Sequence, residues 1–171
     1  ANPWFISQFA VDGPYYNCIA VSQTSNPAGA YYRYAFLYSN TKMNDYPKYG
    51  IWPDGYYMTV NQFTNVSSWG GAGVAVYERD QMLTGGLARQ IIFDLASVNA
   101  NFGGMLPVDF EGTPPPAGSP AYFAEVDDSS YGLGPVDEMR IWEFHTDWAS
   151  NSWSFGLSGQ PNQILPVANF N

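Results

Sequence analysis

The stretch Asp45-Tyr46-Pro47-Lys48-Tyr49-Gly50-Ile51-Trp52-Pro53-Asp54-Gly55-Tyr56-Tyr57-Met58-Thr59-Val60 holds the elements that decide the fold. An apolar pair closes on proline at Ile51-Trp52-Pro53, Asp54-Gly55 supplies a turn, and the run Tyr56 to Val60 has the aromatic and β-branched content of a pleated, half-buried strand. The tripeptide recurs as Met105-Leu106-Pro107 and Ile164-Leu165-Pro166, with the apolar residue before each proline 54 and then 59 residues further on. Such a period is long for a helical solenoid and suits four β-strands with generous turns. The expected fold is therefore all-β, built of four-stranded antiparallel blades of the β-propeller type.

Working outward, the aromatic strand is matched by Trp4-Phe5-Ile6-Ser7 and Tyr122-Phe123-Ala124-Glu125. A short apolar strand follows in each unit, at Ile19-Ala20-Val21, Val74-Ala75-Val76 and Ile141-Trp142-Glu143-Phe144. After a polar connection, a fourth strand closes each unit at Tyr32 to Phe36, Arg89 to Phe93 and Trp153 to Leu157. The reading divides one propeller segment into a partial blade over 1–47, blades over 48–100 and 101–160, and the first strand of a next blade over 161–171. A ring usually has roughly four to eight blades. About three blades' worth of chain thus implies part of a larger propeller, a ring completed by other chains, or an unclosed stack of sheets.

Composition narrows the partners. The 171 residues carry a net charge of −9 with only six Lys and Arg, which argues against nucleic acid and anionic membranes. No apolar run is long enough for a membrane span. Aromatic residues make up 18% and charged residues 12%, and Gly and Pro recur too often for helices. Few thiols and lysines beside many amides fit an exported, extracellular protein. Cys18, the single cysteine, excludes an intrachain disulfide and reads as a small buried hydrophobe. Asn65-Val66-Ser67 has the form of a glycosylation sequon.

The stretches Trp4 to Phe9, Cys18 to Ser22, Tyr31 to Phe36 and Asp45 to Met58 resemble a group of large, uncharacterised secreted bacterial proteins with β-propeller-like repeats. The resemblance implies the fold and an extracellular location and brings no activity with it. Pro53-Asp54-Gly55-Tyr56-Tyr57-Met58 is also loosely similar to the Asp-Gly-x-Tyr-Tyr hairpins of sialidase-like and five-bladed glycosidase propellers.

Carboxylates at the ends of innermost strands would converge at a channel, and Asp54, Asp109 and Glu111 follow the first two proline signatures. Two of them on neighbouring blades would suit glycoside hydrolysis, which needs an acid and a carboxylate roughly 5 Å apart for retention or 6.5–9.5 Å for inversion. The same residues also read as turn caps and solvated loop acids, and Ala168 follows the third signature. Trp52, Tyr56, Tyr57 and Trp69 are candidate sugar-stacking side chains, with core packing as the competing use. Asp127 and Asp128 sit in a polar turn that could hold calcium, the one cofactor the acidic turns suggest, although EF-hand spacing is missing. Alternation puts Ile141, Glu143, His145 and Asp147 on one strand face, which suits either a metal or proton-transfer cluster or a wet face. No nucleophile elbow and no phosphate-binding glycine loop is present.

Two function classes follow: an extracellular binding or structural module for polysaccharide or another extracellular ligand, and a glycoside hydrolase using Asp54, Asp109 and Glu111. A subunit of an extracellular assembly, including a homo-oligomer that completes a ring, is a third.

Overall fold

The computed structural model describes residues 3–131 and 134–170, with strands Phe5–Phe9 (β1), Tyr15–Ser22 (β2), Tyr31–Ser39 (β3), Lys42–Ile51 (β4), Gly55–Thr64 (β5), Ser68–Glu78 (β6), Gln90–Asp94 (β7), Leu106–Pro107 (β8), Ala121–Asp127 (β9), Glu138–Asp147 (β10), Ser152–Phe155 (β11) and Gln163–Pro166 (β12). They form three antiparallel sheets in the orders β1-β2-β3, β4-β5-β6-β7 and β8-β9-β10-β11, with β12 also on β10. The all-β class and the two four-strand meanders follow the expected units. A closed barrel or propeller ring is not formed by the described residues.

The sheets stack face to face in chain order because the middle one is apolar on both sides. Tyr56, Met58, Val60, Ala75 and Tyr77 pack against Ile19, Val21, Phe36 and Tyr38 of the first sheet. Their neighbours Tyr57, Ala72, Val74 and Val76 pack against Phe123, Trp142, Phe144 and Phe155 of the third. Strand alternation alone produces this two-sided core. Aromatic edges close the second interface, with the Tyr57 ring 5.9 Å from Phe123 and 5.4 Å from Phe144. In the first interface, the buried Asn17 amide donates to the Tyr49 hydroxyl at 2.6 Å and the Tyr77 hydroxyl at 2.8 Å. Strands β4 and β8 approach so closely that a Cβ on Gly50 would meet the Val108 carbonyl oxygen at 2.5 Å, so only glycine fits there.

The first two proline signatures each fall on the first strand of a meander but at different points of it, and the third falls elsewhere, so the three are not equivalent, contrary to the sequence expectation. Ile51-Trp52-Pro53 ends β4 rather than opening a strand, and buried Trp52 turns the chain by exchanging backbone hydrogen bonds with Gly55. Leu106-Pro107 is itself a two-residue strand, with Leu106 about half exposed. Gln163–Pro166 pairs with Glu138–Ile141 of β10, on the edge whose other half is taken by β11. Strands β11 and β12 are thus two halves of one edge strand, interrupted by an excursion over 156–162. At the break the Asn162 side chain accepts from the Glu143 backbone N–H, and the excursion's Gly159 carbonyl accepts from Trp142 Nε1, both at 2.8 Å. The strand Gln163–Pro166 therefore lies on the third sheet. The edge of β1 has no partner strand among the described residues.

Two further differences have local causes. A short helix, Arg79–Thr84 (α1), leaves β6 and buries Met82 against the first interface, where glycine and proline frequency had argued against helix. Cys18 is exposed, because alternation on β2 turns Asn17, Ile19 and Val21 inward and puts Cys18 on the opposite face. The sequon lies in the exposed β5–β6 turn, where Asn65 and Val66 both have positive φ, at 51° and 56°.

Candidate functional site

Two open cavities lie near opposite ends of the middle and third sheets, the first of them reaching round the edge where β10 turns into β11. At the end marked by the β4–β5 turn, a cavity of about 360 Å³ is lined by Asp54, Ser119, His145, Asp147 and Trp153. The Asp-Gly turn places Asp54 beside Tyr57, whose hydroxyl donates to Asp54 Oδ1 at 3.1 Å, while the Asp54 carbonyl accepts from Trp148 Nε1 at 2.8 Å. Partial burial pushes the Asp54 carboxyl above its ordinary value. Asp147 across the cavity is held below its ordinary value by the Ser150 hydroxyl and by the backbone N–H groups of Ser150 and Ala149. Trp153 is 43% exposed and forms an aromatic wall.

Asp109 lies elsewhere, in a separate cavity of about 380 Å³ with Ile51, Arg79 and Phe110, and it accepts from the Ile51 and Phe110 backbone N–H groups. Glu111 is exposed in the loop beyond. Of the three acids singled out by the sequence, the structure brings none together in one cavity. Trp52, Tyr56 and Tyr57 are each buried in the packed interfaces, and Tyr56 also lines the Asp109 cavity. Trp69 alone of the four aromatic candidates keeps an accessible ring, 44% exposed. Asp127 and Asp128 diverge. The first is buried in an ion pair with Arg140 at 3.0 Å, and the second accepts from the Ser130 backbone N–H at 2.7 Å. Among the described residues no group of three or more His, Cys, Asp or Glu is arranged to hold a metal. His145 Nε2 lies 3.2 Å from Glu143 on the outer face of the third sheet, while Asp147 caps the β10–β11 turn.

The cavity at the opposite end, also about 360 Å³, holds Trp69 and Asp127, both singled out in the sequence, beside Asn101, Gly103 and Glu125, which were not. Glu125 and Asp127 face inward with Ala121 and Phe123, and Arg140 stands directly opposite Glu125 across the β9–β10 pair. Arg140 bonds Asp127 and, at 2.8 Å, Glu138, so one guanidinium bridges two carboxylates beside Glu125. Burial pushes the Glu125 carboxyl from its ordinary 4.5 up to about 7, against the opposing pull of the Gly103 N–H and Arg140. The available signal was chemical: acids in register with an arginine on the neighbouring strand.

No known protein family, curated protein or solved structure matches the chain.

Proposed function

We propose that the chain is an arc of a β-propeller-type stack that serves outside the cell as a binding or structural module, with polysaccharide as a fitting ligand. One observation carries this reading. Three sheets pack face to face in chain order, and the two outermost faces keep exposed apolar patches. The first sheet turns out Ile6, Cys18, Ala20, Ala35 and Leu37, and the third turns out Leu106, Tyr122, Val126, Met139, Ile141 and Leu165. Large exposed apolar faces mark contact surfaces. Arg33 on the first face and Glu143 on the third give them opposite charges, which suits a head-to-tail continuation of the stack. Sedimentation velocity over rising protein concentration tests this. The chain should associate, and Leu37→Glu or Leu165→Glu should each return it to monomer. A chain that stays monomeric throughout sinks the reading.

The glycoside hydrolase alternative keeps one favourable observation, the partly desolvated Asp54 opposite Asp147 in a cavity with Trp153. Asp109 and Glu111 lend it no support, because they lie outside that cavity. Turnover on a panel of glycans that falls in Asp54→Asn would favour it, and unchanged turnover would remove it.

A further inference from the structure

We infer that the cavity between Trp69 and the Glu125–Asp127–Arg140 cluster is a binding site for a neutral carbohydrate. The inference rests on reading the chain as a binding module and assigns a site that reading does not need. Glu125, Asp127 and Arg140 are each at least nine-tenths buried, yet each keeps one polar atom without a hydrogen-bond partner: Glu125 Oε2, Asp127 Oδ1 and Arg140 Nη1. Buried donors and acceptors are seldom left unpaired in folded proteins, so three in one cluster call for an occupant.

The open valences define that occupant. Of the three, Glu125 and Asp127 line the cavity, and two carboxylate acceptors match a pair of hydroxyl groups, which can donate to both. A cation would satisfy the carboxylates but would be repelled by Arg140, which lies 3.0 Å behind Asp127, and an anion would face the Glu125 and Asp127 carboxylates. The wall of the cavity suits a sugar ring. Trp69 presents an apolar face, its Nε1 is already occupied by the Ala100 carbonyl, and its edge leans on Gly103, where a Cβ would come within 2.8 Å of the ring. Gly103 also donates its N–H to Glu125 Oε1 at 3.2 Å, so one loop aligns both the aromatic wall and the carboxylate. The cavity volume, about 360 Å³, falls in the range of small-ligand sites.

The test is a titration of the chain with neutral gluco-, xylo- and arabino-oligosaccharides, followed through the indole N–H signals in NMR. At least one series should shift the Trp69 signal in a saturable way. Trp69→Ala and Glu125→Gln, both checked for native circular dichroism, should each weaken binding by about tenfold or more. Saturable binding of tetramethylammonium or oligogalacturonate at Trp69 instead would overturn the neutral-sugar assignment. So would the absence of any shift, or binding that survives both substitutions. Binding without self-association in sedimentation would uphold this site and sink the stacked-module reading. Self-association without binding would do the reverse.

Discussion

The middle sheet and the third sheet have the same strand order and opposite burial patterns. Six consecutive residues of β5, from Gly55 to Val60, are buried, because neighbouring sheets cover both faces. On β9 buried and accessible residues alternate, because one face lacks a neighbour. The difference shows where chemistry can be housed. On β5 the run Tyr56 to Met58 is filled by packing, and the middle sheet's buried Asn44, Gln62 and Glu78 sit towards its strand ends, whereas on β9 the inward face changes from Ala121 and Phe123 to Glu125 and Asp127. The polar cluster occupies positions that packing would give to apolar side chains, and such departures from the packing rule concentrate at functional or strained sites.

If the middle sheet is the mechanical centre, truncating it should cost most. Tyr57→Ala removes a ring that contacts Phe123 and Phe144 and should lower stability by about 3–5 kcal/mol in urea denaturation. Ile6→Ala, on the outer face of the first sheet and 54% exposed, should lower the monomer's stability by less than about 1 kcal/mol. Equal losses would break the distinction between doubly and singly covered sheets.

The next effect compares two ion pairs. Arg140 is buried beside Asp127, so Arg140→Leu leaves that carboxylate buried without its partner and should cost about 3 kcal/mol. Arg89 binds Glu78 from a half-exposed position on the middle sheet, and Arg89→Leu should change stability much less. Similar melting temperatures for the two variants would show that water reaches the Arg140 cluster freely.

Much of the fold is legible in the sequence, since the Tyr56 to Val60, Val74 to Val76 and Ile141 to Phe144 segments all fall inside strands. The third proline signature misleads for a physical reason. Ile164-Leu165-Pro166 has the composition of a strand, but composition carries no information about which edge it joins, and the break at Asn162 that lets β12 resume on β10 depends on tertiary hydrogen bonds. The site is obscured by a related ambiguity. Tyr122, Ala124 and Val126 are as apolar as a core face, so alternation alone assigns Glu125 and Asp127 to solvent. Only the register that sets Arg140 opposite Glu125 reverses that assignment.

Glu125→Gln should have a smaller effect that depends on pH. The folded carboxyl is raised to about 7 while the unfolded chain titrates near its ordinary 4.5, so between these values the folded state holds more protons. Its stability is then greatest on the acid side of the window and falls as pH rises through it. Gln keeps an acceptor for the Gly103 N–H without the buried charge. The variant should match the parent near pH 4 and exceed it by about 1–3 kcal/mol at pH 8. A pH-independent difference would show that Glu125 does not titrate in a desolvated site.

The smallest effect should carry the opposite sign. Arg89 hydrogen bonds hold Glu78 below its ordinary value, so Glu78 adds stability above its unfolded titration range and loses it as pH falls through the lowered folded value. The pair lies partly in water, which screens it, and Glu78→Gln should lower the melting temperature by about 3 °C or less at pH 7. Near pH 3 the difference should shrink, because protonation then removes the parent's charge as well. The double variant Glu78→Gln and Glu125→Gln sharpens the comparison between the two sheets. Their carboxylates act on opposite sides of the ordinary value of 4.5, so the double variant should lose stability less steeply than the parent as pH rises from 4.5 to 7 and should keep less of the parent's decline on acidification below that window. A double variant whose pH profile parallels the parent's would mean that neither carboxylate controls the pH dependence of the stack.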